Sequence, residues 1–437
     1  MTFPPTTTAS LQSETGDCAP DGEGPYATGH LEHPRQNNII FMLAEFPMLS
    51  ETFILNQIAL FVDQGFNVRI VSMNRSYSGL NHPWVKRHAL MDKVQYVFDR
   101  NQPLQKMATL LRSIASDIAQ CRGAMLKQLW TLGAKSYLLS RAIPEQEALV
   151  ICHFGHIGAE VAKIKALRPA PNLKLITFFH GADVSIHSFL EHYRQAYQTL
   201  FAHGNLMLPI SQFWASRLVD MGCPAQKIQV QHMGIEADTF SFSPQYRDRA
   251  LPNPVQLISV CRFVEKKGLP TLIECMKLLG PQYHLTVIGD GPLWTNIEQQ
   301  IQSLGLEQRV TLCGPLASDE VESRLGKADA FILPSVTASN GDMEGIPVAL
   351  MEAMAKGLLV FSTRHSGIPE LVKDGVNGYL VAENDAQQLA ERIGHSFEQQ
   401  TGEQRQLIAD AARRTVETDF NVKLLNDGLV SKIAQLA

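Results

Sequence analysis

Short apolar runs alternate with stretches of helical spacing along almost the whole chain. The first run, Asn38-Ile39-Ile40-Phe41-Met42-Leu43, has the unbroken apolar character of a parallel strand buried on both faces. Phe53, Ile54, Ile58, Phe61 and Val62 then recur on one helix face, with Ser50 as candidate N-cap and Gly65 just past the last turn. Val68–Val71 predicts the next strand, which completes a β-α-β unit. Strands are predicted again at Ala148–Cys152, Leu173–Phe178, Leu206–Ile210 and Ile228–Gln231. The rhythm then breaks in a polar stretch with Pro244, Pro252 and Pro254, a linker pattern. A second series follows, with strands expected at Gln256–Cys261, Leu285–Ile288, Val310–Cys313, Ala330–Leu333, Leu358–Ser362 and Gly378–Val381. Two doubly wound α/β halves facing a crevice account for this pattern, and ligands in such sheets sit beyond the carboxyl ends of the strands.

The resulting division is 1–37, polar and expected to be disordered; 38–236, the first Rossmann-like half; 237–254, the linker; 255–405, the second half; and 406–437, helices expected to pack back toward the first half. A chain of 437 residues, 45% apolar, has ample material for two cores. The formal charge of −5 argues against a nucleic-acid partner. Seven cysteines without a C-x-x-C pair suggest neither a disulfide framework nor a zinc site, so a reducing compartment fits. With no long apolar run and no signal-peptide pattern, the expectation is a cytoplasmic enzyme. Residues 104–142 modify that picture. They read as wholly helical, with Lys106, Arg112, Arg122, Lys127, Lys135 and Arg141 against the single acid Asp117. An ordinary helical pair on the sheet is the plain reading, and a basic surface resting on anionic lipid is the functional one.

Four motifs carry candidate chemistry. Glu344-Gly345-Ile346-Pro347-Val348 follows a strand and opens a helix that contains Glu352 and ends at Gly357. Backbone N–H groups at that helix start suit a phosphate, and the two carboxylates suit hydroxyls of a sugar or ribose. Glu352 lies among Leu350, Met351, Ala353 and Met354, where a charge needs a partner. At the end of the second half's first strand, Arg262 and Lys267 precede Gly268 and suit a diphosphate. Gly289-Asp290-Gly291-Pro292 is a tight turn that lets backbone approach a ligand. Phe179-His180-Gly181-Ala182-Asp183 places a histidine at a strand end of the first half, a candidate catalytic contact. His153 and His156 end another strand but lack a third metal ligand, so a cleft-lining or structural role is favoured.

Together these residues resemble the retaining glycosyltransferases of family 4, which have the GT-B architecture. The E-x₇-E pair, the R-x₄-K-G turn, the G-x-G-P turn and the H-G-x-D loop stand in the family's order over about residues 38–430. Phe46 to Phe53, Met207 to Ser211, Gly222-Cys223-Pro224 and Gly341 to Pro347 are similar, more narrowly, to glycosyltransferases of the colanic-acid and amylovoran type. The resemblance implies that Glu352 binds the nucleotide ribose and Glu344 the donor sugar. It implies that Arg262 and Lys267 hold the diphosphate, with backbone at Gly345, Ile346, Pro347 and Val348 and the turn at Gly289 and Gly291 lining the donor site. His180 would then stand at the anomeric centre. Where many members have a Gly-Gly pair, this chain has Pro47-Met48-Leu49-Ser50-Glu51, so Ser50 and Glu51, with His153, become candidate acceptor contacts. The implied donor is a UDP-hexose and the implied acceptor an oligosaccharide on a polyprenyl diphosphate, used without a metal or other cofactor. The same resemblance places the reaction in exopolysaccharide synthesis, at the cytoplasmic face of the inner membrane.

Three rival readings compete with this one. A dehydrogenase needs a third glycine where Trp294 stands. A non-catalytic sugar-nucleotide-binding protein would keep the fold but lose turnover, although every motif is present. A transferase of lipopolysaccharide or another glycan would share the site.

Overall fold

The computed structural model describes residues 38–48, 51–98, 103–120, 122–143, 148–167, 173–244, 246 and 254–436. The first half holds β1 (Asn38–Phe46), β2 (Asn67–Arg75), β3 (Val94–Phe98), β4 (Ala148–His153), β5 (Leu173–Phe179) and β6 (Leu206–Pro209). The second holds β7 (Val255–Val260), β8 (Tyr283–Ile288), β9 (Val310–Leu312), β10 (Ala330–Leu333), β11 (Leu359–Thr363) and β12 (Tyr379–Val381). Strand order is β3-β2-β1-β4-β5-β6 in one sheet and β12-β11-β10-β7-β8-β9 in the other. Every pairing is parallel, with Ile39, for example, beside both Val68 and Leu149. The two sheets therefore share one topology, the GT-B arrangement, and each reverses its winding once, between β1 and β4 and between β7 and β10. A crevice opens at such a reversal, beyond the strand ends.

Alternation along each strand feeds two cores per sheet. Ile40, Met42, Val71, Val150 and Leu175 face one layer of helices. Their neighbours Ile39, Phe41, Ile70, Ile151 and Ile176 face the other, where Leu429, Val430 and Ile433 of the helix Val422–Ala434 join them. The preceding helix, Gly402–Asp419, puts Ala412 and Val416 into a core of the second sheet. Between the two helices, Ile235 N–H donates to Phe420 O at 3.0 Å and Val422 N–H donates to Ile235 O at 3.0 Å. The two chain crossings between the halves are thus pinned to each other.

Two strand expectations need correction. Val94–Phe98 pairs with β2 at the sheet edge, where its short length, the polar Gln95 and a half-buried pattern conceal it among turns. Ile228–Gln231 forms only an isolated bridge to Met207, and its N–H groups at Gln229 and Gln231 reach Met207 O and Pro209 O. It tracks β6 without becoming a strand. The predicted N-cap Ser50 lies outside the described residues. The helix Thr52–Asp63 begins after Glu51, and Gly65 adopts the left-handed backbone beyond its end.

Residues 104–142 fold as the helices Pro103–Ala119 and Gly123–Ala142. Tyr137, Leu138, Leu139 and Ala142 enter the first sheet's core. Arg141 does not belong to a basic surface, because it forms an ion pair with the fully buried Asp117, which also accepts the Tyr137 hydroxyl at 2.5 Å. Lys106 lies over the Phe98 ring. Arg112, Arg122 and Lys135 remain exposed, together with Met107, Leu111, Ile118 and a Trp130 that is 91% exposed. The Lys127 side chain lies outside the described part of the chain. Among the described residues, no helix is long and apolar enough to cross a membrane.

Candidate active site

The sequence motifs sit at the two reversal points. After β7 the chain turns through Cys261–Gly268, and after β10 it runs through Pro334–Pro347 into the helix Val348–Lys356. Three consecutive residues of the first turn clip the second loop. Glu265 accepts the Ser339 N–H and hydroxyl, both at 2.8 Å. Lys266 Nζ meets Asp342 at 3.1 Å, and Lys267 Nζ meets Glu344 Oε1 at 2.6 Å. Gly268 makes this approach possible, because a Cβ there would lie 1.8 Å from Pro334 O.

Glu344 is 7% exposed and held from behind. Its N–H donates to His365 Nε2 at 3.0 Å, while His365 Nδ1 donates to Glu383 Oε1 at 2.7 Å. Glu383 in turn accepts the Thr337 N–H at 2.7 Å. An imidazole that accepts at Nε2 and donates at Nδ1 is neutral, so His365 serves as a spacer between loop and carboxylate. Sequence reading missed both His365 and Glu383. The available signal was a histidine just past a strand, as at His180.

Arg262 lies on the same turn, and its exposed guanidinium has no hydrogen bond or ion pair among the described residues. The G-x-G-P turn is locked beside it, with Phe263 N–H donating to Asp290 O at 2.9 Å. A Cβ on Gly289 would lie 1.9 Å from Cys261 O, and one on Gly291 would lie 2.6 Å from Phe263 O. These glycines are required by contact between two backbone turns, whatever else they meet. Pro347 is the N-cap of its helix, one place before the predicted first turn, and Gly357 ends that helix in the left-handed region at φ 85°.

Glu352 is partly buried, and among the described residues its carboxylate has no hydrogen-bond or ion-pair partner. Burial pushes its pKa up to about 7, against a smaller pull from Lys356. A carboxyl raised in the folded state stabilises the fold most below its unfolded value of 4.5. That stability is lost as pH rises through about 7. Glu352→Gln should therefore make the protein about 3 kcal/mol more stable at pH 8, and change it by under about 1 kcal/mol at pH 5. Urea melts at the two pH values check this, and an equal effect at both would remove the burial argument.

The first half contributes the loop after β5. Asp183 accepts N–H groups from Gly155 at 2.7 Å, His180 at 3.0 Å and Gly181 at 3.1 Å, which fixes the loop. Burial lifts the Asp183 carboxyl to about 6 despite those donors. The loop meets the other half directly, since a Cβ on Gly345 would stand 3.3 Å from His180 O and 2.4 Å from the Ile210 side chain. The His180 ring touches Phe53 and Phe154, and its Nε2 lies 3.1 Å from His153 Nδ1. His153 is 1% exposed, so it lies beneath His180 and does not line the cleft. Glu51 is half-buried, and burial with Glu45 nearby raises its pKa to about 7. Ser50 lies outside the described residues. Elsewhere the halves are clamped by Glu370, which accepts N–H groups from Gln212 at 2.9 Å and Phe213 at 3.1 Å and meets His232 at 2.9 Å.

Two parallel sheets with their reversal points opposed, a cation–carboxylate pair on one wall and a histidine loop on the other, define a GT-B glycosyltransferase fold. Residues 246–415 match the family described as Glycosyl transferases group 1. Over 412 residues, 91% of this chain, the sequence is 40% identical to a glycosyltransferase of which it covers 99%. The chain belongs to the group 1 glycosyltransferases. That relative is WcaL of Escherichia coli (strain K12), named for colanic acid biosynthesis. Similar in the same degree is the amylovoran biosynthesis glycosyltransferase AmsK of Erwinia amylovora, 39% identical over 91% of this chain and 100% of its own. Among solved structures, Anabaena Alr3699/HepE in complex with UDP superposes with a TM-score of 0.70 at 18% identity, covering 92% of this chain and all of its own. The lipopolysaccharide outer core galactosyltransferase WaaB gives 0.64 at 20% identity, with 90% and 99% covered.

Proposed function

We propose that this glycosyltransferase moves a hexose from a UDP-sugar, with retention of configuration, to an oligosaccharide on a polyprenyl diphosphate during exopolysaccharide synthesis. The observation that carries the reading is the Lys267–Glu344 pair at 2.6 Å, beside an unengaged Arg262 at the reversal point of the second sheet. Arg262 and Lys267 hold the diphosphate and stabilise the negative charge that grows as it leaves, a role in which preformed charges contribute most. Glu344 and the backbone of Gly345 and Ile346 meet the donor sugar. Glu352 accepts from the ribose, and Val348 and Ala349 present N–H groups at the helix start. The turn at Gly289 and Gly291 borders the nucleotide. His180 faces the anomeric centre, and Ser50 and Glu51 meet the acceptor. The leaving phosphate takes the acceptor's proton, so no protein nucleophile is assigned, and no cofactor or metal is given a step. The 40% identity to WcaL and 39% to AmsK support the exopolysaccharide pathway. HepE has been crystallised with UDP and with UDP-glucose, which supports the choice of base.

Melting curves with UDP-, GDP-, ADP- and dTDP-sugars test this reading, with Arg262→Ala and Glu352→Ala beside the unaltered protein. A donor at about 100 times its Kd stabilises by about 2.7 kcal/mol. Stabilisation by UDP-sugars alone, lost in both variants, is expected. No shift with any sugar nucleotide would sink the proposal.

A lipid-borne acceptor gives the exposed insert face a role as a contact with the cytoplasmic face of the inner membrane. Each base near an anionic surface is worth about 1 kcal/mol, so Arg112→Glu/Arg122→Glu/Lys135→Glu should weaken vesicle binding about 100-fold or more. Sedimentation with phosphatidylglycerol vesicles reads this, and unchanged binding removes the contact.

A further inference from the structure

Behind His180 lies a chain of polar groups in an otherwise apolar setting. Gln57 sits on the helix Thr52–Asp63, only 9% exposed, among Ile54, Leu55, Ile58 and Phe61. His153, the last residue of β4, is stacked on Phe178 with centroids 4.7 Å apart and near-parallel planes, and it also stacks on Phe41. Its Nε2 lies 2.9 Å from Gln57 Oε1, and its Nδ1 lies 3.1 Å from His180 Nε2. With the Gln57 oxygen facing the ring, His153 carries its proton on Nε2, because an amide oxygen can only accept. The neutral ring then has a bare Nδ1, and the contact with His180 requires the proton on His180 Nε2. His180 is left with a bare Nδ1, which is buried and has no hydrogen-bond partner among the described residues.

We infer that Gln57 and His153 are positioning residues that fix His180 as its Nε2–H tautomer, so that Nδ1 receives a hydroxyl hydrogen of the bound sugar. The inference rests on the reading of His180 as the group facing the transferred sugar. With the opposite tautomer, Nδ1 would carry the hydrogen and could only donate. Burial keeps both rings neutral: it lowers His180 to about 3 and, together with the facing His180, holds His153 well below the usual histidine range. The backbone of His180 also meets the 344–346 loop of the other half, since a Cβ on Gly345 would stand 3.3 Å from His180 O. A buried acceptor without a donor is costly, and a substrate hydroxyl donating to it removes that cost.

Two measurements test the assignment. In long-range ¹H–¹⁵N spectra of protein labelled with ¹⁵N-histidine, the His180 signals, identified by their loss in His180→Gln, should show a protonated Nε2 and a bare Nδ1. In Gln57→Leu the two tautomers should mix. A protonated Nδ1 in the unaltered protein would overturn the proposal, whether or not any sugar is transferred. That readout needs no donor, so its failure is separate from failure of the functional reading. In transfer assays with the donor found by melting, Gln57→Leu and His153→Leu should lower kcat at least tenfold, with KM for the donor within twofold. His153→Asn, whose carbonyl replaces the accepting Nδ1, should recover most of that loss. A fall in kcat that Asn does not rescue, or a rise in donor KM shared by all variants, would mark a merely structural cluster and overturn the relay.

Discussion

Lys267→Ala is expected to lower kcat by about 10²–10³-fold, the usual cost of removing one preorganised charge from a transition state. The same substitution should destabilise the fold by about 3 kcal/mol, because it leaves the Glu344 carboxylate in place without its cation. The pair is well shielded, with the two side chains 16% and 9% exposed, so water cannot replace the lysine freely. These two losses have different causes and can be separated. In Lys267→Ala/Glu344→Gln the unpaired charge is gone, and the amide still accepts the hydrogen bonds of a sugar hydroxyl. Stability should return to within about 1 kcal/mol of the unaltered protein, whereas turnover stays low, because neighbouring changes that share one interaction do not add. Urea melts and initial rates on the four proteins complete the cycle. If Lys267→Ala turns over within tenfold of the unaltered enzyme, Arg262 alone holds the diphosphate. If the double variant stays unstable, the lysine acts through packing.

The fold was largely legible because buried parallel strands are written as unbroken apolar runs, and β1, β4, β5 and β10 each carry several fully buried apolar residues. The edge strand β3 was not legible, since Val-Gln-Tyr-Val-Phe is only five residues long, holds the exposed Gln95, and buries Val97 alone. Ile228–Gln231 misled for the opposite reason: it has a strand's composition but lies beside β6 for too short a stretch to pair. Motifs at strand ends were readable as a site because the winding alone carries those ends to the crevice. The residues behind them were not. Gln57 reaches His153 across 96 positions, and His365 reaches Glu344 across 21, contacts that exist only once helices and sheet have packed. The basic insert shows a related limit. Its one acid is buried and takes Arg141 inward, so a count of charges along the sequence overstated the exposed basic face.

The second large effect concerns the turn that carries Lys267. Gly268→Ala is expected to destabilise the protein by more than about 4 kcal/mol, which is beyond the range of ordinary substitutions. Two causes act there. Gly268 has φ +65°, a left-handed conformation that costs an L-residue about 1–2 kcal/mol. In addition, its Cβ would lie 1.8 Å from Pro334 O, and neither partner is a side chain that could swing away. Gly305 separates the two causes, because it has φ +66° and nothing within 4 Å of the place a Cβ would take. Gly305→Ala should cost only the conformational part, about 1–2 kcal/mol. Urea melts of both variants give the comparison, and equal losses would mean that the approach of the two turns is loose. The consequence for the site follows from the geometry. Pushing the 261–268 turn away from Pro334 would draw Lys267 off Glu344 and Lys266 off Asp342, so a Gly268→Ala protein that still folds should bind the donor more weakly than its stability alone accounts for. The glycine is there because two loops from separate strands must touch, backbone to backbone, for a cation and a carboxylate to share one wall of the cleft.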